Sequence, residues 1–278
     1  MLRSILVGID GSPYSGAALD VGLRLARSHD ALLVGLGVVD EPTIRTGETL
    51  APDSGTFQRH HDAAMLHEAT RQVESFLARF TRLCAQAQVA CKVLEDYGDP
   101  VAQIRMEAQR FDLILLGQQT YFRFETQEFA DDTLKEFLRH SPRPVLVVPA
   151  EPRPGQNVLV AYDGSLPCAK SLQSFVLLGL AQGRQVHVLT VKENTVEGAR
   201  IADRAVEFLQ SHGVTAQRHV AALEKVHAAE AILDHAHQFD AEMLVLGAYG
   251  RSALHEFFFG SVTSSILQDS DVPMFMCH

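Results

Sequence analysis

The stretch LVLGAYGRSALHEFFFGSVTSSIL carries Gly247, Gly250 and Gly260, with Ser261 directly after the last glycine. Glycine permits positive φ and lets the backbone approach a ligand closely. Ser261, Val262 and Thr263 open a helical pattern. Free N–H groups at a helix start, aided by the dipole and by hydroxyl donors, hold phosphate well. The spacing is neither the Walker pattern nor G-x-G-x-x-G. The plain alternative is a strand-to-loop turn followed by a capped helix. Two further turns read alike, Asp10-Gly11-Ser12 and Asp163-Gly164-Ser165, each after a short apolar run. In open parallel α/β sheets ligands bind beyond the C-terminal ends of the strands, so these turns and the glycine stretch should meet at one crevice.

Other reactive side chains suggest less. His60, His61 and His67 lie in or beside an inserted segment, and His235 and His237 share a helix. Positions i and i+2 do not share a helix face, and no Cys/His spacing matches a zinc site. His255 stands within the glycine stretch, where solvent exposure or packing is the simpler role. Phe257–Phe259 read as residues that pack the loop down or line an interface. Ser12 and Ser165 read as helix caps, and no Ser-His-Asp set is evident. Cys84, Cys91, Cys168 and Cys277 form no Cys-x-x-Cys pair and read as reduced thiols of a cytoplasmic protein.

The elements that must position these residues come in two copies. ILVGIDGS begins at Ile5 and VLVAYDGS at Val158; LILLG ends at Gly117 and MLVLG at Gly247. Strands are expected at 3–9, 31–39, 88–95, 112–117 and 144–149, then at 157–162, 185–191, 215–220, 242–247 and 273–277. Helices are expected at 14–28, 60–86, 100–110 and 131–140. The strands are continuous apolar runs, which indicates burial on both faces and a parallel sheet between helix layers. The first copy carries extra residues between Asp40 and Val89, of which 41–62 reads as loop. The 278 residues thus divide into domains at 1–150 and 157–278, joined by a Pro/Gly-rich linker at 151–156. Each domain is doubly wound α/β. A formal charge of −10 argues against a nucleic-acid or anionic-membrane binder, and no run approaches the roughly 18 apolar residues of a membrane span.

Gly247-x2-Gly250-x9-Gly260-Ser261 resembles the nucleotide-binding signature of the universal stress protein family. ILVGIDGS and VLVAYDGS look like that family's opening strand, and PVLVVPA like its closing strand. The resemblance covers the chain as two tandem copies. It implies a five-stranded parallel sheet per domain, Rossmann-like and of the adenine-nucleotide alpha-hydrolase type, with ATP, accompanied by Mg²⁺, in the crevice. Carried across, Asp163 would face the adenosine, with Ala161 and Tyr162 as backbone neighbours. Val191 would meet the adenine edge and Gly247 the ribose, with Leu246 a further residue of the nucleotide site. Tyr249, Gly250 and Arg251 would border the phosphates, and Gly260, Ser261, Val262 and Thr263 would hold them. The turn after the third strand departs from the family's Gly-x-Pro-like form in the second copy, which reads EKVH at 224–227 where the first reads YGDP at 97–100. The resemblance also implies that the closing strands of the two copies pair antiparallel as an internal pseudo-dimer. A further homodimer and an unidentified protein partner are open expectations.

The first copy reads GQQTYFRFETQEFADDTL over the same register. Thr120 replaces the second glycine, Ala130 the third, and Asp131 the hydroxyl residue. A carboxylate about 4 Å from a phosphate charge costs roughly 1 to 4 kcal/mol. The first copy is therefore expected not to bind ATP, which leaves Asp10 a structural role; another ligand there stays open. Two rival readings remain. One is a slow ATPase or a nucleotidyl or phosphoryl transferase, though no general base or carboxylate pair is evident beside the phosphates. The other is an interaction scaffold with both crevices empty.

Overall fold

The computed structural model describes residues 1–46, 55–122, 132–223, 227–247 and 261–277. The chain forms two compact units, Arg3–His140 and Ser141–His278, the latter including Met1–Leu2.

In the first unit, β1 (Ser4–Gly8) pairs in parallel with β2 (Leu32–Val39) and β4 (Leu113–Gly117), and β2 pairs with β3 (Cys91–Tyr97). The order β3-β2-β1-β4 reverses direction at β1. The helices are α1 (Pro13–His29), α2 (Glu41–Thr46), α3 (Gly55–Ala87), α4 (Pro100–Ala108) and α5 (Thr133–His140). β4 is buried along its whole length, as a continuous apolar run between two helix layers must be. Edge strand β3 instead alternates in exposure and starts three residues later than expected. Residues 88–90 are consumed by the turn that ends α3, where Gln88 takes φ +55° and Val89 N–H donates to the Cys84 carbonyl.

The segment 41–62 was expected as loop, and much of it is helical. α2 begins where the Asp40 carboxylate accepts the Thr43 N–H at 3.1 Å, and Arg45 pairs with Glu41 one turn back. α3 already runs from Gly55 and spans 33 residues, against 17 for its counterpart in the second copy. Capping and an (i, i+4) ion pair outweigh the turn-like composition that suggested a loop.

In the second unit the strand order is β5-β10-β9-β6-β7-β8. These are β5 (Val145–Val148), β6 (Asn157–Ala161), β7 (Val186–Lys192), β8 (Ala216–Ala222), β9 (Ala241–Gly247) and β10 (Met274–Cys277). β10, β9, β6, β7 and β8 are all parallel, which gives the five-stranded doubly wound sheet. β5 joins antiparallel, with Leu146 opposite Phe275, so the closing strands of the two copies do pair. The helices are α6 (Leu166–Leu177), α7 (Thr195–Ser211), α8 (Ala228–Gln238) and α9 (Ser261–Asp269). Residues 151–156 lie against this unit: Arg153 N–H donates to Asp271 O and Gln156 N–H to Asp240 O. Among the described residues no helix is long and apolar enough to cross a membrane.

Candidate functional site

Both Asp-Gly-Ser turns fold the same way. Gly11 and Gly164 take φ +79° and +77°, a left-handed conformation that favours glycine, and Ser12 and Ser165 then cap α1 and α6. In each turn the aspartate accepts the serine N–H, at 2.9 Å for Asp10 and 2.8 Å for Asp163. Beyond that the copies part.

In the second unit a cavity of about 360 Å³ opens at the C-terminal ends of β6, β7 and β9. Ala161, Tyr162, Asp163, Val191, Leu246, Gly247, Ser261, Val262 and Thr263 all line it, so the Asp163-Gly164-Ser165 turn, the end of β9 and the start of α9 meet at one crevice. Tyr249, Gly250, Arg251 and Gly260, and with them His255 and Phe257–Phe259, lie outside the described residues. Three helices start at this cavity, represented by Ser165 and Cys168 on α6, Ala228 on α8 and Ser261 on α9. Their positive dipole ends make it a place for an anion in a chain of net negative charge.

The walls are fixed by strand and cap bonds. Tyr162 N–H donates to Leu189 O at 2.9 Å, and the Thr190 hydroxyl donates to Tyr162 O at 2.7 Å. Asp163 is exposed to the cavity. Burial pushes its carboxyl up, but the hydroxyl and N–H of Ser165 outweigh that, and it lies below the usual carboxylate value. Burial pushes the Tyr162 hydroxyl up, and it pushes the Cys168 thiol up to about 11, so both stay protonated at neutral pH.

Sequence reasoning missed the apolar contribution of Leu189, Ile232 and Ile266, and that of Cys168. It also read Gly247 as a turn residue or a ribose neighbour, and not as a packing requirement. A Cβ there would lie 2.6 Å from Cys168 N and 3.0 Å from Pro167 C, so the start of α6 already requires glycine. Gly117 in the first copy meets the same demand, with Tyr14 Cβ at 2.6 Å. That explains why this glycine alone of the signature stands in both copies.

In the first unit the corresponding place is filled. Phe122 is 1% exposed, and its ring lies 2.9 Å from where a Cβ on Gly8 would sit. Gly8 is the counterpart of cavity-lining Ala161. Asp10 is 4% exposed, and its second oxygen accepts the Tyr121 N–H at 2.6 Å. Asp132 accepts Glu136 N–H through its carbonyl and begins α5, whereas Asp131 lies outside the described residues. The wall that differs in sequence differs in capping too. Asp99 caps α4 through Ala102 N–H at 2.9 Å, but His227 makes no side-chain cap bond to α8. Residues 224–226 lie outside the described residues.

A histidine group stands below the cavity, on the same face of β7. His187 Nδ1 and His219 Nε2 are 3.0 Å apart, and the Phe239 ring stacks on His187 at 4.3 Å. Among the described residues no group of three or more potential ligands could hold a metal ion.

A model of the universal stress protein family matches residues 1–149 and again 155–278. A universal stress protein of Synechocystis sp. is 31% identical over 170 residues, covering 59% of this chain and 57% of that protein. One from Mycobacterium tuberculosis is 27% identical over 174 residues, covering 58% and 54%. The chain thus spans about half the length of the curated relatives it matches. The crystal structure of a universal stress protein from Archaeoglobus fulgidus aligns over 99% of this chain and 96% of its own. Its TM-score is 0.71 at 20% identity. A Pseudomonas aeruginosa protein of unknown function gives 0.63 at 20% identity, over 99% of this chain and 92% of its own. At such identity the likeness shows the fold alone.

Proposed function

The chain belongs to the universal stress protein family, as two tandem copies, and we propose that its second copy binds one adenine nucleotide while the first binds none. The observation that carries this reading is the contrast at Ala161 and Gly8: an open cavity of about 360 Å³ in one copy, a buried Phe122 ring in the other. That volume falls in the usual range for small-molecule sites. Its apolar part, Leu189, Val191, Ile232 and Leu246, suits a base. Its polar part, the α9 start with Ser261 and Thr263, suits phosphates. Asp163, whose carboxyl Ser165 holds below the usual value, would accept from a ribose hydroxyl or an amino group.

The nucleotide we favour is ATP. Mg²⁺ would be carried by the phosphates, since Mg²⁺ keeps several waters and needs few protein ligands. The protein then serves as a regulatory or sensor module whose partners read the occupied state.

Calorimetric titration with Mg-ATP tests this on the full chain and on Ser261→Asp, which copies Asp131 of the first repeat. The expected result is one site per chain, weakened by roughly 1 to 4 kcal/mol in the variant. Two sites per chain, or no binding by the intact chain at millimolar ATP, would overturn it. A phosphate-release assay on the same samples distinguishes binding from turnover.

A further inference from the structure

α3 ends in a turn that both copies share. In the first, Gln88 takes φ +55°, Val89 N–H donates to Cys84 O at 3.0 Å, and Gln88 N–H donates to Ala85 O at 3.2 Å. In the second, Gly213 takes φ +74°, Val214 N–H donates to Leu209 O at 3.0 Å, and Gly213 N–H donates to Gln210 O at 2.9 Å. This doubled reversal turns the chain back from the helix into the next strand. It sets the residue in the helix's last turn beside the first residue of the strand, seven positions on. In the second copy those residues are Leu209 and Ala216. In the first copy they are Cys84 and Cys91. The turn is therefore satisfied by an ordinary apolar pair, and the first copy has two thiols where the fold asks for none.

Cys84 is fully buried in the last turn of α3, Cys91 is half-buried at the head of edge strand β3, and the two thiols are near enough for each to act on the other's charge. Burial, and then the neighbouring Cys91, push the Cys84 thiol up to about 12. Cys84 is thus a poor first nucleophile, and the accessible Cys91 is the sulfur that meets an oxidant. Cys168 is buried at the α6 start, and Cys277 lies on a different unit.

We propose that Cys84 and Cys91 form a reversible dithiol site that a peroxide converts to an intramolecular disulfide. The Cys91 thiolate attacks a peroxide oxygen; the O–O bond breaks, Cys91 becomes a sulfenic acid, and hydroxide leaves. The Cys84 sulfur then attacks the Cys91 sulfur. The S–O bond breaks as the S–S bond forms, and the hydroxyl departs with the Cys84 proton as water. One hydrogen peroxide is reduced to two waters, and two thiols are oxidised to one disulfide. The bond pins the end of α3 to the start of β3, closing a short loop whose turn is already formed.

Both cysteines fall within one tryptic peptide, Leu83–Lys92, which makes the test direct. The full chain is treated with hydrogen peroxide and quenched. Free thiols are blocked with N-ethylmaleimide in denaturant; the protein is then reduced, labelled with iodoacetamide and digested. The expected result is two iodoacetamide labels on Leu83–Lys92, with Cys168 and Cys277 keeping maleimide. Before reduction the same peptide should weigh about 2 Da less than its dithiol form. Maleimide on both cysteines of this peptide, irreversible oxidation of Cys91 alone, or a cross-link from Cys91 to another cysteine would each overturn the proposal. Cys84→Leu takes the side chain found at Leu209 and so keeps the turn filled. In it the Cys91 sulfenic acid should persist and be trapped by dimedone; an unoxidised Cys91 there would overturn the order of steps.

Discussion

The two copies reach the same strand-end crevice by the same turns, and differ in what occupies it. In the second, Asp163 faces a cavity and three helix starts converge on it. In the first, the chain after β4 folds inward: Tyr121 N–H satisfies Asp10, and the Phe122 ring covers Gly8. The difference teaches that the same strand-end turns can border an open cavity or close over an apolar ring. Fully burying a phenylalanine gives about 1.5–3 kcal/mol, and the first copy gains that where the second keeps an opening.

The sharpest way to break this comparison is Phe122→Ala. It should cost about 3–5 kcal/mol of stability, seen in denaturant unfolding, because the ring is enclosed. The variant should still bind a single ATP, since Asp10 remains tied to Tyr121. A second ATP site would mean the ring alone silences the first copy.

Next come Gly117→Ala and Gly247→Ala. Each puts a Cβ 2.6 Å from the helix packed on it, so both should lose about 1–3 kcal/mol and by similar amounts. A Gly247→Ala protein of native stability that binds ATP poorly would show that the ligand, and not α6, demands this glycine.

A smaller asymmetry is expected at the aspartates. Asp10→Asn should lose about 1 kcal/mol or somewhat more, because a carboxylate accepting two backbone N–H groups becomes an amide with one acceptor oxygen. Asp163→Asn should disturb stability less and ATP affinity more, measured by melting and titration side by side.

The mildest test uses pH. His187 and His219 titrate below the usual histidine value, chiefly through burial, and next through His219 acting on His187 and His235 on His219. The unfolded chain binds those protons more readily than the folded one. The stability from the neutral pair is therefore present above the unfolded value of about 6.5, and is lost as pH falls through the lower folded values. The melting temperature should drop from pH 7.5 to pH 5. The drop should shrink in His187→Val, which copies the equivalent Val34 of the first copy.

Much of this contrast was legible in the sequence, through register. The Asp-Gly-Ser turn, the end of β9 and the Gly-Ser helix start sit at positions set by local chain geometry, and the family resemblance supplied the other cavity residues named, such as Ala161 and Val191. What could not be read was occupancy. Phe122 shares a register position with Ser252, and only folding shows its ring turned onto Gly8, more than a hundred residues away. The argument from Asp131 anticipated repulsion, whereas the described structure supplies a filled space. Ile232 and the histidine group also escaped notice. They meet across crossover connections, and no periodicity within one segment marks residues brought together from three. Capping likewise decided the 41–62 segment against its composition.

β5 belongs to the first copy by its match to the family model, yet it hydrogen-bonds to β10 of the second. That pairing carries a strand of one copy to the edge of the other's sheet. A chain beginning at residue 155 would keep every cavity-lining residue and still leave the Met274–Met276 edge open to any strand that came by. Such a fragment invites a copy of itself, or a β5 from another molecule, into the gap. Exchange of one short strand would then join two chains without any new surface having to evolve.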